Sequence, residues 1–160
     1  MLKFVQIISI MKSAVIASIF LALSHFSQAS LFDNMMDDIA ECKNSTNISD
    51  DEMTRIAEKK LPETPEGKCM IFCIMQKFDL VDEEGKMNVA GMKAMSQETP
   101  GMTKDDLPKL DAVMDQCDAE VATKYKPVVE DVDKCENACT VSECVVRKSK
   151  EAGIKDPTAS

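Results

Sequence analysis

Apolar positions along this chain recur at steps of three and four, the period of a helix, and the strict alternation of a half-buried strand is missing. The first stripe is Phe32, Met35, Met36, Ile39 and Cys42, which predicts a helix over Leu31–Lys43. Asn44-Ser45-Thr46-Asn47 breaks it. A second helix is expected from Ser49, because Ser49-Asp50-Asp51-Glu52 has the capping-box pattern. Met53, Ile56, Ala57 and Leu61 carry it to Pro62, and its acidic start and basic end suit the helix dipole. Pro62, Pro65 and Gly67 read as a turn. The third helix, Lys68–Phe78, is apolar on almost every side, as a centrally buried helix is.

A charged turn follows, Asp82-Glu83-Glu84-Gly85-Lys86, with Gly85 expected at positive φ. The fourth helix is expected over Asn88–Glu98, with Val89, Met92 and Met95 on one face, ended by Thr99-Pro100-Gly101. The fifth begins near a Thr103 cap. Its stripe is Leu107, Leu110, Met114, Cys117 and Val121, and Pro108 is tolerable only in its first turn. Pro127 interrupts. The sixth runs from Val129 to Lys150, with Val132, Cys135, Cys139 and Val146 on its buried side. The fold class is therefore all-α.

Residues 1–29 change this picture, because they read as a cleaved secretory signal. Lys3 and Lys12 are positive, Ala14–Leu23 is an apolar run too short to span a membrane, and Ser27-Gln28-Ala29 offers small residues at a cleavage site. Starts at Met1 and at Met11 both remain open. The expected division is a signal (1–29), a single helical domain (30–150) and a polar tail (151–160). The location implied is extracellular, with no stable membrane insertion.

The chain after residue 29 has 160 − 29 = 131 residues and a formal charge of 17 − 28 = −11. That acidity argues against nucleic acid and anionic membranes as partners. The one histidine, His25, falls in the signal segment. Without imidazole the usual general base and the usual zinc nitrogen are missing, which argues against a Ser/His or Cys/His hydrolase. No nucleophile–base pair can be assembled from the remaining residues, so an enzyme is not expected, nor any cofactor. Methionine is plentiful and aromatics are few, namely Phe32, Phe72, Phe78 and Tyr125 beyond the signal. Flexible, polarizable methionines fill irregular cores or adapt to varied apolar ligands.

Cysteine spacing carries the strongest signal. Cys42, Cys69, Cys73, Cys117, Cys135 and Cys144 have 26, 3, 43, 17 and 8 residues between successive members, and Cys139 is additional. In a secreted chain such cysteines become disulfides rather than a zinc site. Cys69 and Cys73 share one helix face and are badly placed to pair with each other, so each is expected to tie the third helix to a different neighbour. An acidic calcium loop fails on spacing, because position six counted from Asp79 is Glu84 and not glycine.

These features together resemble the insect odorant-binding proteins, of the pheromone-binding and general-odorant-binding type. The residues that carry the resemblance are Cys42, Cys69-Met-Ile-Phe-Cys73, the segment Phe78–Lys86, Cys117, and Cys135 with Cys144. It covers Leu31 to about Lys150. It implies a single compact domain of about six helices around an apolar cavity. It also implies interlocked pairing of first with third, second with fifth and fourth with sixth cysteine: Cys42–Cys73, Cys69–Cys135 and Cys117–Cys144. Two departures are the long gap from Cys117 to Cys135, which holds Tyr125-Lys126-Pro127, and the extra Cys139. Cys139 is expected as a free, inward-facing thiol. A disulfide-linked homodimer through it is the sharper alternative.

The expected function is transport of small hydrophobic molecules, with a membrane chemoreceptor as a second partner. Period and implied architecture nominate Met36, Ile39, Met53, Met70, Ile74 and Phe78 for the pocket, together with Met92, Met95, Leu110, Met114 and Val146. A cysteine-rich interaction protein with a filled core, or a non-sensory scavenger of the same fold, is the alternative. Asn44 and Asn47 both head glycosylation sequons. If acid triggers release, the sensor must be a carboxylate.

Overall fold

The computed structural model describes residues 35–58, 60–99 and 101–154. The expected signal segment, the expected helix start at Leu31 and most of the expected polar tail lie outside them. The chain divides into two compact units between Ala40 and Glu41. Residues 35–40 are helical, with Met36 exposed and Ile39 half-buried. Apart from the start of α1, everything below concerns the second unit.

Six helices occur among the described residues, and their limits follow from local chemistry. The first (α1) covers 35–46, and Asn47 ends it in the left-handed region at φ 54°. Helix α2, Asp50–Ala57, starts where the Ser49 hydroxyl accepts the Glu52 N–H at 3.2 Å. The Glu52 carboxylate does not complete the expected capping box. It turns away and accepts the N–H groups of Glu63 (2.6 Å) and Thr64 (2.9 Å), tying the α2–α3 loop down. Helix α3, Pro65–Lys77, starts earlier than its sequence pattern predicts. Pro65 and Gly67 belong to its first turn, not to the loop, because Thr64 caps the Gly67 N–H at 3.0 Å and proline is pre-set for that position.

Helix α4, Val89–Glu98, is capped by Asn88, whose Oδ1 accepts from Gly91 and whose Nδ2 donates to the Asp79 carbonyl. Helix α5, Leu107–Val121, follows a turn in which Thr103 accepts the Asp106 N–H. Helix α6, Asp131–Glu151, begins where Asp133 accepts the N–H groups of Val129 and Glu130. The last turn of α6 carries Lys148 and Lys150, favourable at the negative end of the dipole.

Helix α6 is the hub: α3 and α5 pack on it, α4 packs on α5, and α2 on α3. The buried core comprises Phe72, Met75 and Val81 before α4, Met92 in α4, Val113, Met114 and Val121 in α5, and Ala138 and Val141 in α6. Three disulfides stitch these elements: Cys42–Cys73 joins α1 to α3, Cys69–Cys135 joins α3 to α6, and Cys117–Cys144 joins α5 to α6. This is the interlocked order that the resemblance implies. Each closes a long loop and contributes about 3–4 kcal/mol on the chain-entropy view.

The long Cys117–Cys135 gap is held by polar anchors. The Tyr125 hydroxyl accepts the Met87 N–H at 2.8 Å. Asn137, on α6 and only 1% exposed, accepts the Lys126 N–H and donates to the carbonyls of Lys126 and Glu84. One side chain thereby fixes α6, the α5–α6 loop and the charged turn. Gly85 in that turn has φ 76°, as its sequence context predicts, and packs against the α6 backbone at Lys134 and Ala138.

Candidate ligand-binding cavity

An apolar cavity of about 290 Å³ opens among the later helices. The end of α3 and the following turn supply Met75 and Leu80. Helix α4 supplies Met92, Met95 and Ser96, with Thr99 just beyond it. Helix α5 supplies Leu110 and Met114, and α6 supplies Ser142, Val145 and Val146. The positions follow from helical period: Leu110 and Met114 are four apart on one face, as are Met92 and Ser96. Met75, Met92, Leu110 and Met114 are buried, while Met95 and Val146 are each 39% exposed.

Among the described residues, none that lines the cavity is titratable. The polar content is three hydroxyls, and two of those donate to their own backbone: Ser96 to the Lys93 carbonyl at 2.8 Å and Thr99 to the Met95 carbonyl at 2.9 Å. Four of the lining side chains are methionine, so the wall is soft and can remodel around guests of different shape. The arrangement is built for partition of an apolar molecule out of water, and it offers no nucleophile or base.

A second concavity, about 410 Å³, is larger but differs in chemistry. It is lined by Glu120, Lys124, Thr140, Glu143, Cys144 and Arg147. Its two cations share one carboxylate: Arg147 meets Glu120 at 2.7 Å and Lys124 meets it at 2.8 Å. Hydrogen bonds from these cations, Lys124 first, hold the Glu120 carboxyl down at about 2. Among the described residues no cluster has the makings of a metal site.

Five sequence-nominated residues, Met92, Met95, Leu110, Met114 and Val146, line the apolar cavity. Others lie elsewhere in the second unit. Met70 is fully buried beside Thr46, whose hydroxyl oxygen lies 3.9 Å from its sulfur and donates to the Cys42 carbonyl at 2.8 Å. Met53, Ile74 and Phe78 are half-buried on α2, α3 and the α3 terminus. Met75, Leu80, Ser96, Thr99, Ser142 and Val145 line the cavity without having been nominated. Helix α3 is apolar all round, so period could not choose between Ile74 and Met75. The hydroxyl residues carry no apolar signal at all.

The free thiol, Cys139, is half-buried on α6 beside the Lys68 carbonyl at 3.9 Å. Burial pushes its ionisation up to about 12. Asn44 and Asn47 are both exposed.

Residues 25–148 match the PBP/GOBP family. General odorant-binding protein 19d of Drosophila melanogaster is 32% identical over 119 residues, covering 72% of this chain and 71% of that protein. Among solved structures, the odorant-binding protein OBP28a of Drosophila melanogaster superposes with a TM-score of 0.62 at 21% identity, covering 79% of this chain and 98% of that one. Pheromone binding protein 3 of Epiphyas postvittana gives 0.54 at 21% identity, covering 72% and 96%. At such identity these two likenesses speak to the fold.

Proposed function

The chain belongs to the PBP/GOBP family, and from that premise we propose that it is a secreted carrier of small hydrophobic molecules and not an enzyme. The observation that carries this reading is the methionine-rich cavity among α3, α4, α5 and α6, which has room for a guest and no charged lining group among the described residues. A guest gains about 25 cal/mol for each Å² of apolar surface it buries there. The disulfides hold the helices while the methionine side chains adapt. Residues 1–29 serve as the secretory signal, and among the described residues no helix is long and apolar enough to cross a membrane. The natural second partner of such a carrier is a membrane chemoreceptor, met by a monomeric carrier. The half-buried placement of Cys139 beside the Lys68 carbonyl, which also raises its ionisation, disfavours an intermolecular disulfide.

The test is displacement of an environment-sensitive apolar fluorophore from the oxidised, signal-free protein by small lipophilic compounds. Micromolar binding, reversed by some of them, is expected. No probe binding by folded protein would instead favour an interaction protein with a filled core.

A further inference from the structure

Two motifs stand outside the carrier reading, Asn44-Ser45-Thr46 and Asn47-Ile48-Ser49. Both have the triplet pattern that accepts N-linked glycans in secreted chains. The described asparagines fall into two kinds. Asn88 and Asn137 head no Asn-x-Ser/Thr triplet, and their amides serve the fold, at the α4 cap and under the α5–α6 loop. Asn44 and Asn47 head the two triplets and are both exposed, at the end of α1 and in the turn after it. The buried side of this corner is supplied by Cys42 and Ile48. No residue from 41 to 49 lines the apolar cavity.

The order of synthesis leaves both triplets accessible. Cys42 is locked to Cys73, 31 residues further on. A chain entering the secretory compartment N-terminus first therefore presents the triplets before that disulfide closes. Once folded, Asn44-Ser45-Thr46 is helical and the Thr46 hydroxyl donates to the Cys42 carbonyl at 2.8 Å, so transfer belongs to the unfolded chain. The two triplets are unequal acceptors. Thr46 is β-branched and stiff at χ1, so binding its hydroxyl costs less side-chain freedom than binding that of Ser49. The middle residue is small in the first, Ser45, and bulky in the second, Ile48. Asn44 also arrives first, and Asn47 lies at most about 11 Å from it along an extended chain, so a bulky glycan on the first obstructs the second.

We propose that Asn44 carries an N-linked glycan and that Asn47 does not. The inference rests on the secretory half of the carrier reading. The donor is a lipid-linked oligosaccharyl diphosphate. The Asn44 amide nitrogen attacks the anomeric carbon of its first sugar. A C–N bond forms, the bond from that carbon to the diphosphate oxygen breaks, the lipid diphosphate leaves, and the amide gives up one proton. Nothing is oxidised or reduced.

The experiment expresses the full chain, with its own residues 1–29, in insect cells and recovers it from the medium. Intact mass is read before and after a peptide-N-glycosidase that tolerates core fucose. Peptide mapping then finds the site, because release leaves aspartate where the glycan stood. The wild type should lose the mass of one glycan, with aspartate at position 44 and Asn47 intact. Thr46→Ser should keep the glycan at Asn44. Thr46→Val and Asn44→Gln should each lose it from position 44. Asn47→Gly, which suits the φ of 54° there, should leave it unchanged. Secreted wild type with no mass loss, or with its glycan on Asn47, would overturn the assignment and leave the carrier reading in place. Wild type kept inside the cells with residues 1–29 uncleaved would overturn both.

Discussion

Asn137→Ala is the perturbation that most severely tests how the long segment before α6 is held. The side chain is 1% exposed and makes three hydrogen bonds, to the Lys126 N–H (2.8 Å), the Lys126 carbonyl (3.1 Å) and the Glu84 carbonyl (3.0 Å). Each neutral bond is worth about 0.5–1.5 kcal/mol net, and water can reach some of the stranded groups, so the expected loss is about 2–4 kcal/mol. For a domain of this size that is a fall in melting temperature of about 10 °C. The assay is thermal unfolding followed by circular dichroism with the disulfides intact, since reduction would remove the two-state reference. Apolar probe affinity at low temperature should change little, because Asn137 does not line the cavity. A fall of less than about 3 °C would refute the claim that this amide anchors the loop.

Gly85→Ala should cost about 1–2 kcal/mol for the left-handed backbone alone, and more because a methyl group would overlap the Lys134 carbonyl; urea denaturation would detect this as a lower midpoint. Glu52 and Glu120 both have folded ionisations below the ordinary glutamate value of 4.5, Glu52 through the Thr64 N–H first and Glu120, at about 2, through Lys124 first. Their stabilisation is therefore complete above 4.5 and is lost as pH falls through the lowered values, so Glu52→Gln should flatten the acid limb of a stability–pH curve below about 4.5. Because no lining group titrates, probe affinity should stay flat from about pH 8 to pH 5, and a steep loss between pH 7 and 6 would contradict the cavity's neutrality. Cys139 should resist alkylation at about pH 8 in native protein and react after denaturation, as mass spectrometry would show; rapid native labelling would contradict its protonated, half-buried state.

Helical period revealed the elements because each later helix buries one side against α6 or its neighbours. Leu110, Met114, Cys117 and Val121 form one stripe in the sequence and one buried face in the fold. Period was less informative where burial is nearly isotropic. Along α3 neighbouring apolar residues carry the same signal, so period does not separate Met75, which lines the cavity, from Ile74, which does not. Residues whose role depends on distant partners left no trace. Asn137 looks like any polar position on α6, and its bonds to Glu84 and Lys126 exist only after the chain has closed. Ser142 looks like surface until α4 and α5 pack opposite it. The start of α3 was misplaced because Pro65 and Gly67 read as turn residues, although proline at the first helical position with a threonine cap before it is itself a start signal.

The central claim is that an apolar guest enters the space lined by Met75, Met92, Met95 and Met114. The chain has 12 methionines, so beyond Met1 and Met11 of the proposed signal there remain 12 − 2 = 10 methyl reporters spread over the protein. Titrating methyl-labelled methionine protein with 1-nonanol and following the methyl resonances tests the claim most directly. Shifts concentrated at Met75, Met92, Met95 and Met114, with Met53 and Met70 nearly still, are the expected result. Shifts centred on Met53 and Met70, or none at saturating alcohol, would contradict it.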